Sequence, residues 1–322
     1  MTDSEETKFR RITHTFFQKE WQEGFDIFYQ VPADGEKKFV KFAQFEPQDY
    51  SRLEAIFKEK QSEVFYIKET DVHKYYEFKI IKHLLLGITQ DKPPAQEVFQ
   101  RVYPVATRIL QDYLEIPTSD EFLVLLDELP KSLAESLDSE NLPFQELFKL
   151  TLKDNTIHDH CVNVGLYCLC LARELGMNRK DREEICRGGM LADIGKKFIS
   201  NGVMFKENEL TDEDRQTIRL HPAFGRKALS ELRRYSKTVL RMAGEHHENF
   251  DGTGYPMKLA GKDIHITARI CKIMDVFNAL TSRRSYGEVL TPIQALTFMK
   301  EDIGEQFDSQ LLTTFIQYAG RQ

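Results

Sequence analysis

The chain has 322 residues, 41% of them hydrophobic and 30% charged, with a formal net charge of -7. That length can bury two cores, and the acidic balance argues against nucleic-acid polymers as partners while leaving room for a small anion held by local charges. The most apolar helical run, 162–172, is too short for a bilayer span, which needs about 20 apolar residues, so no membrane partner is expected.

The first residues, Met1-Thr2-Asp3-Ser4-Glu5-Glu6, are acidic and polar, so no signal peptide is expected and the protein reads as cytoplasmic. Residues up to about 20 read as a frayed polar segment. Strands are predicted over 25–31, 38–42 and 64–67, with Pro32-Ala33-Asp34-Gly35 as a turn between the first two. Helices are predicted over 49–60 and from Asp71 to about 86, which makes this a small α/β module. Its His73 and His83 have no carboxylate at ligand spacing and read as surface or packing residues.

Asp91-Lys92-Pro93-Pro94 and Ser139-Glu140-Asn141-Leu142-Pro143 are breaks. The expected division is a small α/β regulatory domain over 1–90, a helical linker over 91–142 and a helical domain over 143–322. Within the linker the predicted helices are 95–114 and 119–137. Beyond it the pattern is helical throughout, over 159–176, 181–193, from Thr211 onward, then 222–232, 236–243, 267–280, 292–300 and 309–318. Thr211 with Asp214 is a capping-box pair. The fold class is therefore mainly α, a helical domain preceded by a small α/β domain. The five cysteines, Cys161, Cys168, Cys170, Cys186 and Cys271, are odd in number and mostly sit in apolar helical runs, so reduced core thiols are expected.

One stretch organises the second half: His246-His247-Glu248-Asn249-Phe250-Asp251-Gly252-Thr253-Gly254-Tyr255-Pro256. Neighbouring side chains on a helix diverge by about 100°, so adjacent histidines can serve one ion only from a helix end or a turn. The glycines and the proline supply that end. Two exposed histidines beside a loop would give the same pattern, and the rest of the domain decides against it. His160 and Asp275 lie in apolar helices, and a carboxylate there is costly to bury unless paired or bound to a cation. Asp193 ends another helix, and His221 precedes Pro222. Helical bundles gather such side chains from separate helices into metal sites. Lys196 and Arg284 lie close enough in sequence to Asp193 and Asp275 to meet a phosphate. Two ions roughly 3.5–4 Å apart can share a hydroxide and stabilise displacement at phosphorus.

Together, Asp193-Ile194-Gly195-Lys196, His221, His246-His247, Asp275 and the Asp251–Pro256 turn resemble the HD-GYP family of bacterial cyclic di-GMP phosphodiesterases. The likeness runs from about 144 to 318. It extends to Ala279-Leu280-Thr281-Ser282-Arg283-Arg284-Ser285-Tyr286 and Gln306-Phe307-Asp308. The resemblance implies hydrolysis of cyclic di-GMP to pGpG, or on to GMP, by a hydroxide bridging two metal ions. Asp193 and Lys196 would be catalytic. One ion would take His160, Asp193 and Asp275; the other would take Asp193, His221, His246 and His247. Lys196, Arg284 and Tyr255 would bind substrate. Iron is the expected metal, with manganese and zinc compatible with the same donors. Contacts with diguanylate cyclases or other signalling proteins are a further expectation.

The chain departs from the family at named positions. Ala192 stands where the motif has histidine, which removes one imidazole from the first ion. Thr156 stands where some members carry a glutamate for a third ion, so two ions are expected. Gly287 and Glu288 follow Tyr286 where basic residues are usual, which weakens charge-assisted contacts to phosphate. Two alternatives follow: a nucleotide- or phosphate-binding signalling module without turnover, or a phosphohydrolase with another substrate.

Overall fold

The computed structural model describes residues 8–12, 25–33, 36–45, 65–72, 74, 88, 90–115, 123, 126–140, 142–152, 156–204, 206, 209–282 and 289–321. Two compact units are present, one of Met1–Lys92 with Thr118–Leu125 and the other of Pro93–Pro117 with Leu126–Gln322.

In the first unit, β1 (Phe9–Ile12), β2 (Phe25–Ala33), β3 (Glu36–Phe45) and β4 (Phe65–Lys68) form an antiparallel sheet in the order β1-β4-β2-β3. The three predicted strands are all there. The β2–β3 register shifts between Ile27 and Phe28, where β3 carries one extra residue, Phe42, and Ile27 and Phe28 are both buried beside that bulge. The expectation of a frayed start fails at β1. Phe9 stacks on Phe39 with ring centroids 4.2 Å apart and meets Phe28 edge-on at 4.8 Å, while Arg10 pairs with Glu69 at 3.2 Å. A strand of four residues is too short to show alternation, so its pairing is decided by these distant partners. The predicted helix over 49–60, the predicted helix from Asp71 beyond Lys74, and His73 and His83 lie outside the described residues; Asp71 itself ends a 3-10 turn, Glu69–Asp71.

The second unit is helical. Its helices are α1 (Ala95–Glu115), α2 (Leu129–Ser139), α3 (Phe144–Thr151), α4 (Ile157–Glu174), α5 (Arg179–Met190), α6 (Asn201–Met204), α7 (Asp212–Ile218), α8 (His221–Glu231), α9 (Lys237–Glu245), α10 (Ile266–Thr281), α11 (Pro292–Glu301) and α12 (Ser309–Ala319). The predicted run over 119–137 is not continuous. Residues 127–128 form a turn, and α2 begins with Leu129 and Pro130, since proline lacks the N–H that an interior helical position needs. The helix predicted from Asp159 starts two residues earlier. Thr156 caps it, its hydroxyl accepting from the Asp159 amide while the Asp159 carboxylate accepts from the Thr156 amide.

Helix α4 is buried on every face from Cys161 to Ala172, as expected for the central helix of a bundle. It packs against α5 at Gly165 and Gly189: a Cβ on Gly189 would lie 2.7 Å from the Gly165 Cα. On another side, Phe144, Tyr167, Phe277 and Phe315 draw α3, α4, α10 and α12 together, with Phe277 and Phe315 centroids 5.0 Å apart. Each such ring contributes about 1.5–3 kcal/mol by burial. All five cysteines are buried and free. No helix of the described residues is long and apolar enough to cross a membrane.

Candidate metal centre

Five separate elements deliver the predicted ligands to one place. His160 sits in the first turns of α4, and Asp275 lies mid-way along α10. Asp193 precedes a short 3-10 segment, Ile194–Phe198. His221 is the first residue of α8, and His246 caps the C-terminal end of α9, with His247 one residue beyond. The adjacent histidines therefore use a helix end, as their spacing requires. Asp193, His221, His246 and His247 offer donor atoms all within 4.8 Å of one another, and so do His160, Asp193 and Asp275. Asp193 belongs to both sets.

The two carboxylate oxygens of Asp193 face opposite ways. Oδ1 lies 3.1 Å from His221 Nε2 and 3.6 Å from His246 Nε2. Oδ2 lies 2.6 Å from Lys196 Nζ and 3.4 Å from His160 Nε2. Burial opposes charge on Asp193, yet the adjacent Lys196 ammonium outweighs it and holds the carboxyl well below its usual range. Burial likewise disfavours the Lys196 ammonium, and Asp193 reverses that and raises it. Asp275, 2.9 Å from His160, is also buried but kept ionised by that contact. Burial lowers the pKa of His221 and, more strongly, of His247, so both are neutral and able to bind a cation.

The ring nitrogens facing away from the centre are anchored. His221 Nδ1 donates to the Ile218 carbonyl at 2.7 Å, and His246 Nδ1 to the carbonyls of Met242 and Ala243 at 3.1 Å. A carbonyl only accepts, so each ring keeps a proton on Nδ1 and leaves Nε2 to face the centre. Those two Nε2 atoms stand 3.2 Å apart beside Asp193 Oδ1, a buried oxygen with no donor of its own. Acceptors crowded in this way fit a divalent cation and little else.

The backbone permits the approach at Gly195. A Cβ there would lie 1.9 Å from the His221 carbonyl oxygen, so any side chain would drive α8 and its imidazole away. On the opposite side, Tyr255 stacks on His247 with centroids 4.8 Å apart, and the Arg219 guanidinium lies 5.3 Å from the Tyr255 ring. Tyr255 thus touches a predicted ligand directly. Arg284 and the segment 283–288, with Tyr286, Gly287 and Glu288, lie outside the described residues. Ala192 is buried and supplies no donor atom.

Sequence reasoning missed two groups. Glu248 is 1% exposed and accepts from the amides of Met257 at 2.6 Å and Leu259 at 3.0 Å, so it holds the glycine-rich turn in shape. Its place beside the double histidine was a signal. Asn278, one turn after Asp275, contacts His160 Nδ1 at 2.7 Å. Its spacing from Asp275 placed it on the same helix face, yet an amide in a helix carries no ligand signature.

A family model described as HD domain matches residues 132–311, more than half of the chain. The chain belongs to the HD domain family. The HD-GYP resemblance read from the sequence holds as well. This HD protein is 34% identical over 151 residues to the 3'3'-cGAMP-specific phosphodiesterase 3 of Vibrio cholerae, a match covering 47% of this chain and 33% of the relative. It is 34% identical over 174 residues to the cyclic di-GMP phosphodiesterase PA4108 of Pseudomonas aeruginosa, covering 54% and 42%. The matches thus span less than half the length of these relatives. The solved structure of a HDG"Y"P protein from Bdellovibrio bacteriovorus superposes with a TM-score of 0.63 at 18% identity, over 96% of this chain and 99% of that one, a likeness of fold. Family and buried His/Asp cluster together point to divalent metal binding.

Proposed function

We propose that this HD protein is a metal-dependent phosphodiesterase that opens a cyclic dinucleotide, with cyclic di-GMP as the first substrate to test and pGpG, then GMP, as products. The observation that carries the reading is one carboxylate, Asp193, offering an oxygen to each of two ligand sets. Similarity to cyclic di-GMP and 3'3'-cGAMP phosphodiesterases supports the substrate class. His221, His246 and His247 with Asp193 would hold one ion; His160 and Asp275 with Asp193 would hold the other. Iron is the first choice, with manganese and zinc suited to the same donors. Bound there, such ions supply Lewis acidity and lower the pKa of water near phosphorus.

The chain's own residues do the rest. Lys196, kept cationic by Asp193, neutralises a phosphate oxygen brought to the same spot. Tyr255 keeps the His247 ring in plane, and its partly exposed ring can take a base by stacking. Arg284 keeps the phosphate-binding role that the resemblance gives it. The first unit is assigned a regulatory role, and signalling proteins are the expected protein partners.

The test is an assay with cyclic di-GMP and 3'3'-cGAMP under reducing conditions, with added Fe2+ or Mn2+, following linear product by chromatography. Product that disappears in Lys196→Ala supports the reading. Absence of turnover in metal-replete protein rejects the enzyme. One observation favours a second reading, a nucleotide receptor: Ala192 leaves the His160 set one donor short of the family's motif. Calorimetry that finds tight nucleotide binding without hydrolysis would select it, and a panel of other phosphoesters tests a different substrate.

A further inference from the structure

A second lysine stands by the metal centre, and unlike Lys196 it has no partner. Lys272 lies one turn before Asp275 on α10, so the two side chains leave the helix on the same face. Cys271, Ile273 and Met274 beside it are buried, and Lys272 itself is only partly exposed. Its charged neighbours are the carboxylates of Asp275, Asp251 and Glu248. Each of these is engaged elsewhere. Asp275 Oδ1 meets His160 at 2.9 Å, and its Oδ2 faces His247 at 3.8 Å. Asp251 Oδ1 accepts from the Thr253 amide at 2.9 Å and from the Thr253 hydroxyl at 2.6 Å. Both oxygens of Glu248 hold amides of the glycine-rich turn. Among the described residues the Lys272 ammonium makes no hydrogen bond and no ion pair, whereas Lys196 is paired with Asp193 at 2.6 Å. Burial pushes the Lys272 pKa down, against the pull of the three carboxylates.

An ammonium drawn out of water without a partner is costly, and an anion set beside it removes that cost. The substrate class proposed above supplies one. A cyclic dinucleotide carries two phosphates. The one to be cut must reach the Asp193 ligands, where Lys196 stands, and the other then needs a cation of its own. Lys272 offers it on the side of the centre formed by Asp275 and the turn that carries Tyr255. We propose that Lys272 binds the phosphate that is not being cut, and so makes the site prefer a ligand with two phosphates over one with a single phosphate. The inference rests on the cyclic-dinucleotide reading, and not on turnover.

The experiment is calorimetry on the 322-residue chain loaded with Mn2+, for wild type, Lys272→Met and Lys272→Arg. Two probes are compared: the bisphosphorothioate analogue of cyclic di-GMP, which resists hydrolysis, and GMP, which has one phosphate. Lys272→Met is expected to bind the analogue about 10–100-fold more weakly, the scale of a hydrogen bond between charged groups. Its affinity for GMP should hardly move, and Lys272→Arg should recover most of the loss. Manganese content should match wild type in both variants. The urea midpoint of Lys272→Met should not fall, because methionine keeps the stem and no bond is lost. Unchanged affinity of Lys272→Met for the analogue overturns the proposal. Equal weakening toward the analogue and GMP, or loss of Mn2+, also overturns it and makes Lys272 a counter-charge for the centre. Wild-type protein that binds GMP but not the analogue overturns the cyclic-dinucleotide reading together with this one. Binding of the analogue that depends on Lys272, with no hydrolysis of cyclic di-GMP, overturns the enzyme alone and leaves Lys272 its role.

Discussion

The two sides of Asp193 use the same donor types and differ in what stands behind them. On the Oδ1 side, His221 leans on the last carbonyl of α7 and His246 on carbonyls of α9, three or four residues away in sequence. On the Oδ2 side, His160 leans on Asn278, 118 residues away, and through it on Asn163. The first arrangement is fixed by local geometry; the second depends on side chains that the fold brings together.

The comparison breaks most completely at the residue both sides share. Asp193→Asn should remove metal from both positions, read as metal content after purification, with the helical signal retained; the neutral amide leaves Lys196 without its counter-charge. His246→Ala and His160→Ala sharpen it: the former should lose the ion of the four-ligand set, while the latter should keep it. If both variants lose the same ion, the two sides are one site. Glu248→Ala tests the support of the His247 side alone. Leaving the Met257 and Leu259 amides without an acceptor should cost about 1–3 kcal/mol in chemical denaturation and weaken metal binding through the Tyr255 stack.

A graded effect is expected from pH. Burial depresses the pKa of His221 and His247, so the unfolded chain takes up protons near the ordinary value of 6.5 that the folded chain refuses. Stability of the metal-free protein should therefore be complete above about 6.5 and decline as pH falls below it. Asp193 and Asp275 are also depressed, so their stabilisation persists to lower pH and is lost on passing down through the carboxylate range. A urea midpoint that stays flat from about pH 8 to about pH 5 would contradict neutral buried imidazoles. The smallest effect is expected at Thr211→Ala, which removes the cap of α7 for about 1 kcal/mol and should leave metal content unchanged.

Much of the centre was legible in the sequence because its residues are out of place locally. Asp275 interrupts an apolar helix, and His246 with His247 cannot share an ion unless a helix ends between them and the glycines. The helix caps at Thr211 and the free buried cysteines follow from local rules as well. What stayed hidden depends on partners distant in the chain. β1 is held by Phe28, Phe39 and the β4 ladder, and the start of α2 waits on Pro130 inside a run that otherwise looks continuous. Asn163 and Asn278 look like ordinary polar residues in buried helices until α4 and α10 are placed side by side.

The most direct test of the account is the anomalous difference map of a crystal of the 322-residue chain grown with Mn2+. A peak enclosed by Asp193 Oδ1 and the Nε2 atoms of His221 and His246, with His247 beside it, is the predicted result. Side chains in the same positions with no peak among them, in crystals where manganese has bound elsewhere, would contradict it.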